Sequence, residues 1–192
     1  MNSSILLDTL NGASSQDPRT VKESEERLRA LEANSGYLSG LASVYSSIGA
    51  INEQVRLFAA MQLKHATDKY WKPRGGISAD EKREVKDFML KTIPAEQNSA
   101  VAIQAALICS KIIRKDGNGS WGDLFVAIAQ TVSSDNCGLN SKCFCALTLK
   151  ELVKMMKSKR LPMDRAQFRK LSSQLWSVSA ELYQAALQRL MV

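Results

Sequence analysis

Residues 55–74 read VRLFAAMQLKHATDKYWKPR, a helix-length run with apolar side chains almost all the way round and one narrow polar strip. At about 100° per residue, Phe58, Ala59, Leu63, Ala66 and Tyr70 share a broad arc, while Lys64, Asp68 and Lys72 fall together on the opposite side. Leu57 and Met61 lie inside that polar strip, and Trp71 adds an aromatic ring at its end. A surface helix with one buried face would not be built this way. The pattern asks for neighbours on several sides, which is what a stack of helical hairpins supplies.

The rest of the chain agrees. Its 192 residues are 45% hydrophobic and 23% charged, the balance of an ordinary globular domain, and aromatic content is only 6%. Abundant Leu and Ala favour close helix-on-helix packing, and no stretch alternates in the β manner. The longest uncharged run, residues 33–52, contains five Ser, three Gly and two Asn, so it reads as no membrane span. No basic residue precedes Arg19, so no secretory leader is expected and the chain is placed in the cytosol or nucleus. Cys109, Cys137, Cys143 and Cys145 fit reduced thiols there. With one histidine in the chain, the last three of them complete no zinc pattern.

Breaks at Gly12, Asp17-Pro18, Asn34 to Gly36, Gly49, Pro73 to Gly76, Pro94, Gly117 to Gly119, Asn136 to Gly138 and Pro162 divide the chain into helix-length pieces. Helices are predicted over 4–11, 18–33, 37–48, 52–72, 79–92, 95–115, 121–134, 139–159 and 163–190. Asp17-Pro18 is a cap followed by proline at the first helical position, and Ser78 with Glu81 reads as a capping box. Shorter helices alternate with longer ones, and the longer ones starting at 52, 95 and 139 recur every 43 or 44 residues. That is the spacing of HEAT or armadillo arrays, roughly 40–47 residues. The longer helix over 95–115 repeats the design of the first, with Gln104, Lys111 and Lys115 in a narrow arc. In a superhelix such strips would line one partner-binding side.

The +7 net charge sits almost wholly in residues 142–170, where Lys142, Lys150, Lys154, Lys157, Lys159, Arg160, Arg165, Arg169 and Lys170 face only Glu151 and Asp164. This segment reads first as a solvated, dipole-compensating helix end, with a basic face for an acidic partner or for nucleic acid, as in a helical-repeat RNA-binding protein, as the alternative. No catalytic, cofactor or metal constellation is present. His65 stands alone in mid-helix, and Gly75-Gly76 and Gly117-Asn118-Gly119 read as turns rather than phosphate loops. No enzyme is expected. Phe168, Leu171, Leu175, Val178 and Leu182 form an apolar stripe that further helices would cover.

Val55-Arg56 with Ala59-Ala60, Leu63-Lys64 and Trp71 resembles the amino-terminal domain of importin-β (karyopherin) nuclear transport receptors. The resemblance continues through Pro18 to Leu31 with Gly36 to Ile48, similar to the family's opening repeat, then Ser78 to Ile93, and Ala100 to Arg114 before Trp121 and Leu124. Lys64-His65 with Asp68 to Trp71, and Ser158 to Leu161 with Asp164-Arg165 and Phe168, are most similar to the importin eleven branch. Gly122 departs from the proline the family often has there. The resemblance implies an all-α fold, a right-handed superhelix of HEAT-type helical hairpin repeats (α-α superhelix, ARM-repeat-like). It implies one array over 1–192, with the importin-β amino-terminal domain at about 17–95 and further repeats after it, as the amino-terminal fragment of a longer chain. It further implies binding of the GTPase Ran in its GTP form, with Lys64, His65 and Asp68 as contact candidates and Arg56 and Trp71 structural. Cargo proteins and FG nucleoporins are the full receptor's partners by the same resemblance. It implies shuttling between cytoplasm and nucleus through nuclear pores, without a cofactor. A generic HEAT scaffold remains the other alternative.

Overall fold

The computed structural model describes residues 3–72, 76–116, 121–134 and 136–157, with a few positions between 169 and 187. Among the described residues the regular structure is helical: α1 (Ser3–Ala13), α2 (Pro18–Leu31), α3 (Tyr37–Ser46), α4 (Glu53–Tyr70), α5 (Ala79–Thr92), α6 (Ser99–Asp116), α7 (Gly122–Ser133) and α8 (Leu139–Lys157). A single 3₁₀ turn, Ile93–Ala95, precedes α6, and one isolated antiparallel bridge joins Trp71 to Gly76. Of the helix expected over 163–190, the few described positions (169, 176–177, 179–181, 183–184 and 187) are helical, while its stripe at Phe168, Leu171, Leu175, Val178 and Leu182 lies outside the described residues.

The chain forms two compact units, Met1–Thr92 and Ile93–Val192. In the first, α1 packs on α2 and α3 on α4, and α3 also packs along α5. The hairpin partners are therefore α1 with α2 and α3 with α4, so Pro18 to Leu31 and Gly36 to Ile48 belong to different hairpins. In the second unit α6 lies against α8, with α7 on α8 and the 3₁₀ turn against both α7 and α8.

Local chemistry sets the helix starts. The Asp17 carboxylate accepts from the Arg19 and Thr20 amides at 3.4 and 3.0 Å and from the Thr20 hydroxyl, which holds its pKa below the usual value. Helix α2 is charged nearly all round and buries only Ser24 and Leu28. It fits closely on α1 because Gly12 has no side chain: a Cβ there would sit 2.3 Å from Ser24 Oγ.

Helix α6 starts four residues later than expected. Pro94 keeps residues 93–95 in a 3₁₀ turn, and the Asn98 side chain then caps the helix, accepting from the Ala100 and Val101 amides at 2.9 and 3.2 Å. The long helices consequently begin at Glu53, Ser99 and Leu139, 46 and 40 residues apart rather than evenly spaced.

The capping box at Ser78 forms by half. Ser78 Oγ accepts the Glu81 amide at 3.1 Å as expected. The Glu81 carboxylate instead leaves its own helix and caps α3, accepting from the amides of Gly36, Leu38 and Ser39 at 3.1, 2.8 and 3.3 Å. A carboxylate at a helix amino terminus satisfies orphan amides and complements the helix dipole. Glu81 is buried there, and Gly36 supplies the left-handed backbone (φ 82°) that starts α3.

Candidate binding face on α4

Helix α4 divides into two halves. Val55, Arg56, Ala59, Ala60, Leu63, Ala66 and Thr67 are buried, so the inward arc carries two polar residues among its apolar ones. Arg56 is only 2% exposed; its Nε donates to the Tyr45 carbonyl at 2.9 Å and its guanidinium lies 6.0 Å from the Tyr45 ring centroid. Its expected structural role follows from that bond, since a buried guanidinium needs partners. Trp71 is fully buried, with Lys82 Nζ 5.7 Å from its ring centroid. The bridge partner of Trp71, Gly76, has a left-handed backbone (φ 86°), and a Cβ there would strike the Tyr70 carbonyl at 2.3 Å. Pro73, the start of the break expected after this helix, lies outside the described residues.

The outward half corrects the expectation of apolar burial all round. Phe58 and Leu57 are half-buried and Met61 is exposed, so the strip facing solvent is mixed rather than polar. Lys64 is half-buried, while His65 and Asp68 are exposed. Lys64 and Asp68 stand one turn apart, and each has an interaction partner of its own. All three candidates therefore share one accessible face, flanked by the apolar side chains of Leu57, Phe58 and Met61. Sequence reasoning undervalued those flanking residues because an apolar residue on a crowded helix is read as core.

The ends of α2 and α4 are tied together on the other side of α4. Lys69 Nζ pairs with the Glu32 carboxylate at 2.7 Å, and the Tyr70 hydroxyl donates to the same oxygen at 2.9 Å. The Lys69 bond chiefly lowers the Glu32 pKa and in turn raises that of Lys69. Beside them Tyr37 is raised too, mainly by burial.

Of the basic segment, Lys142 is buried and adds nothing to a basic face, whereas Lys150 and Lys154 are exposed on α8. Lys159, Arg160, Arg165 and Lys170 lie outside the described residues. The four cysteines are free thiols: Cys109 and Cys145 buried, Cys137 half-buried, Cys143 exposed. Burial raises Cys109 and pushes Cys145 up to about 11, as in unreactive core thiols. Among the described residues, no cluster of three His, Cys, Asp or Glu is placed to hold a metal ion, and no helix is long and apolar enough to cross a membrane.

Comparison with known proteins bears out the family resemblance. Residues 24–94, which contain α4 and its candidate face, match the Importin-beta N-terminal domain family. The chain is 27% identical over 183 residues to Importin-11 of Mus musculus, covering 94% of this chain and 18% of that protein. Among solved structures, a bidirectional nuclear transport receptor of S. cerevisiae superposes with a TM-score of 0.76 at 22% identity, over 88% of this chain and 17% of that one. Yeast importin-beta superposes with a TM-score of 0.63 at 15% identity, over 98% of this chain and 25% of that one. These neighbours are superhelices of HEAT repeats, so the all-α HEAT-type fold expected from the sequence is the fold observed. The chain spans about a fifth of the length of its curated relative.

Proposed function

We propose that this chain is the Ran-binding amino-terminal module of a nuclear transport receptor, taking part in nucleocytoplasmic protein import. The observation that carries the reading is the family match over residues 24–94, supported by similarity to Importin-11 along 94% of the chain. The module corresponds to residues 17–95 with further repeats following. Its contact surface is the outward half of α4, with Lys64, His65 and Asp68 meeting Ran-GTP and Met61 and Leu57 adding apolar contact. Neither a cofactor nor catalysis enters: the module works by binding.

Regulation then follows from linkage. Ran-GTP releases cargo only to the extent that it favours a receptor conformation that cargo disfavours, and the coupling is reciprocal. That coupling, the cargo proteins and the FG nucleoporins belong to the full-length receptor, which shuttles between cytoplasm and nucleus. This module alone is proposed to bind Ran-GTP without releasing anything.

The test is capture of purified Ran, loaded with GTP or GDP, by the immobilised chain. Retention of the GTP form alone is expected. Reversing Lys64 and Asp68 together (K64E/D68K) should weaken that retention about tenfold, a difference of about 1.4 kcal/mol. Equal capture of both forms, or of neither, defeats the reading.

A further inference from the structure

In the second unit, α6 and α8 enclose an open groove of about 300 Å³ lined by Ser110, Lys111, Arg114, Glu151, Lys154 and Met155. Three of the six are cations. The single acid, Glu151, keeps its side chain 16% exposed and lies 3.9 Å from Lys154 Nζ. The Lys154 side chain stands 74% in solvent, and Arg114 is exposed as well. Among the described lining residues one carboxylate is set low beside three cations; Lys111 has an interaction partner of its own, and the exposed Arg114 and Lys154 carry the positive charge that the groove presents to solvent. The carboxyl-terminal end of α6 accounts for part of this, since Lys111 and Arg114 complement its dipole. The same argument does not reach Lys154, which sits on the other helix.

The groove continues into apolar surface. One and two turns before Lys111 on the same side of α6 stand Leu107, half-buried, and Ile103, 45% exposed. On α8, Met155 lines the groove itself. Cations at one end and aliphatic side chains at the other match a segment with the opposite charge and an apolar stripe.

We infer that the α6/α8 groove docks an acidic, amphipathic peptide segment of a protein partner, its carboxylates on Arg114, Lys154 and Lys111 and its aliphatic side chains on Met155, Leu107 and Ile103. A protein segment fits better than RNA for two reasons visible in the groove. Glu151 at its floor repels phosphate, and among the described residues that line it there is no aromatic ring on which a base could stack. This site is independent of the α4 face, being built from other helices in the other compact unit.

The test uses the 192-residue chain and a fluorescein-labelled helical peptide of Glu with Leu at every third or fourth position, read by anisotropy. Controls are a peptide with Lys in place of Glu and a single-stranded RNA oligonucleotide. Binding of the Glu peptide is expected, at least fivefold tighter than the Lys peptide. Each exposed pair contributes a factor of about 1.4 to 5, so Arg114→Glu with Lys154→Glu should weaken binding about tenfold. Reversing Arg19 and Lys22, two exposed cations on α2, should leave it within twofold, which separates the groove from net charge. Circular dichroism confirms that each variant stays helical. Equal binding of both peptides, equal loss in the α2 variant, or tighter binding of RNA than of the Glu peptide overturns the assignment.

Discussion

The helices of the two units are held differently among the described residues: in the first, polar side chains reach from one helix to another, while in the second the α6 side of the α6/α8 seam is apolar but for Ser110. In the first, Glu81 holds the start of α3, Arg56 bonds the Tyr45 carbonyl and Glu32 gathers Lys69 and Tyr70. In the second, the buried side of α6 is Val101, Ala102, Ala105, Ala106, Ile108, Cys109, Ile112 and Ile113 with Ser110 alone as a polar residue. On α8, Leu149 and Leu152 are buried, together with the polar Ser141, Lys142 and Thr148. Apolar packing is tolerant of small sliding, because many side-chain arrangements bury similar area. Hydrogen bonds from a fixed carboxylate are directional and specify one helix start and one angle. The first unit therefore holds α4 in a defined orientation, as the recognition surface proposed on its outward half would require.

This contrast can be broken by substitution. The largest expected loss comes from cutting the apolar seam: Ile112→Ala should cost about 3 kcal/mol in urea unfolding, since Ile112 is fully buried and the space left cannot fully collapse. Glu81→Ala comes next at about 2 kcal/mol, because it strands amides at the α3 start, and Glu81→Gln should recover about half of that by keeping one acceptor oxygen. Hydrogen exchange sharpens the point: Glu81→Ala should speed exchange of the Leu38 and Ser39 amides while leaving α6 unchanged. Equal protection of α3 in the variant would show that Glu81 is incidental to the first unit.

The smallest effect concerns Glu32. Its pKa is depressed in the folded chain, chiefly by the Lys69 bond, so its contribution is complete at neutral pH and is lost as the pH falls through the folded-state value. Lys69 is 62% exposed, so screening holds the contribution below about 1 kcal/mol. Between pH 5 and pH 3 the native chain should lose stability that Glu32→Gln, already lacking it, does not. Parallel pH profiles for the two would remove Glu32 from the account.

Much of this was legible in the sequence. Helix order, the α5 limits and the Asp17 cap depend on neighbours within one turn, and such signals are local by nature. The Glu81 role was hidden for the opposite reason: its amide follows the local rule, but its carboxylate answers to residues 42–45 positions upstream. The α6 start was misplaced because Pro94 is tolerated in a first turn, and the competing Asn98 cap outweighed it. At α4 the three candidate residues do share an accessible face. Helical angle places Leu57 and Met61 inside the strip; that they and Phe58 stay partly uncovered was not legible, since apolar residues on a helix look the same whether a neighbour covers them or not.

The cysteines give the contrast between the units a chemical consequence. All four stand in the second unit, none in the first. An alkylating reagent at mildly alkaline pH meets Cys143 at once in the native chain, whereas the buried sulfurs of Cys109 on α6 and Cys145, beside Thr131 of α7, become available only when the second unit opens. The slow phase of thiol modification thus times the opening of that unit, and does so with no signal from the first.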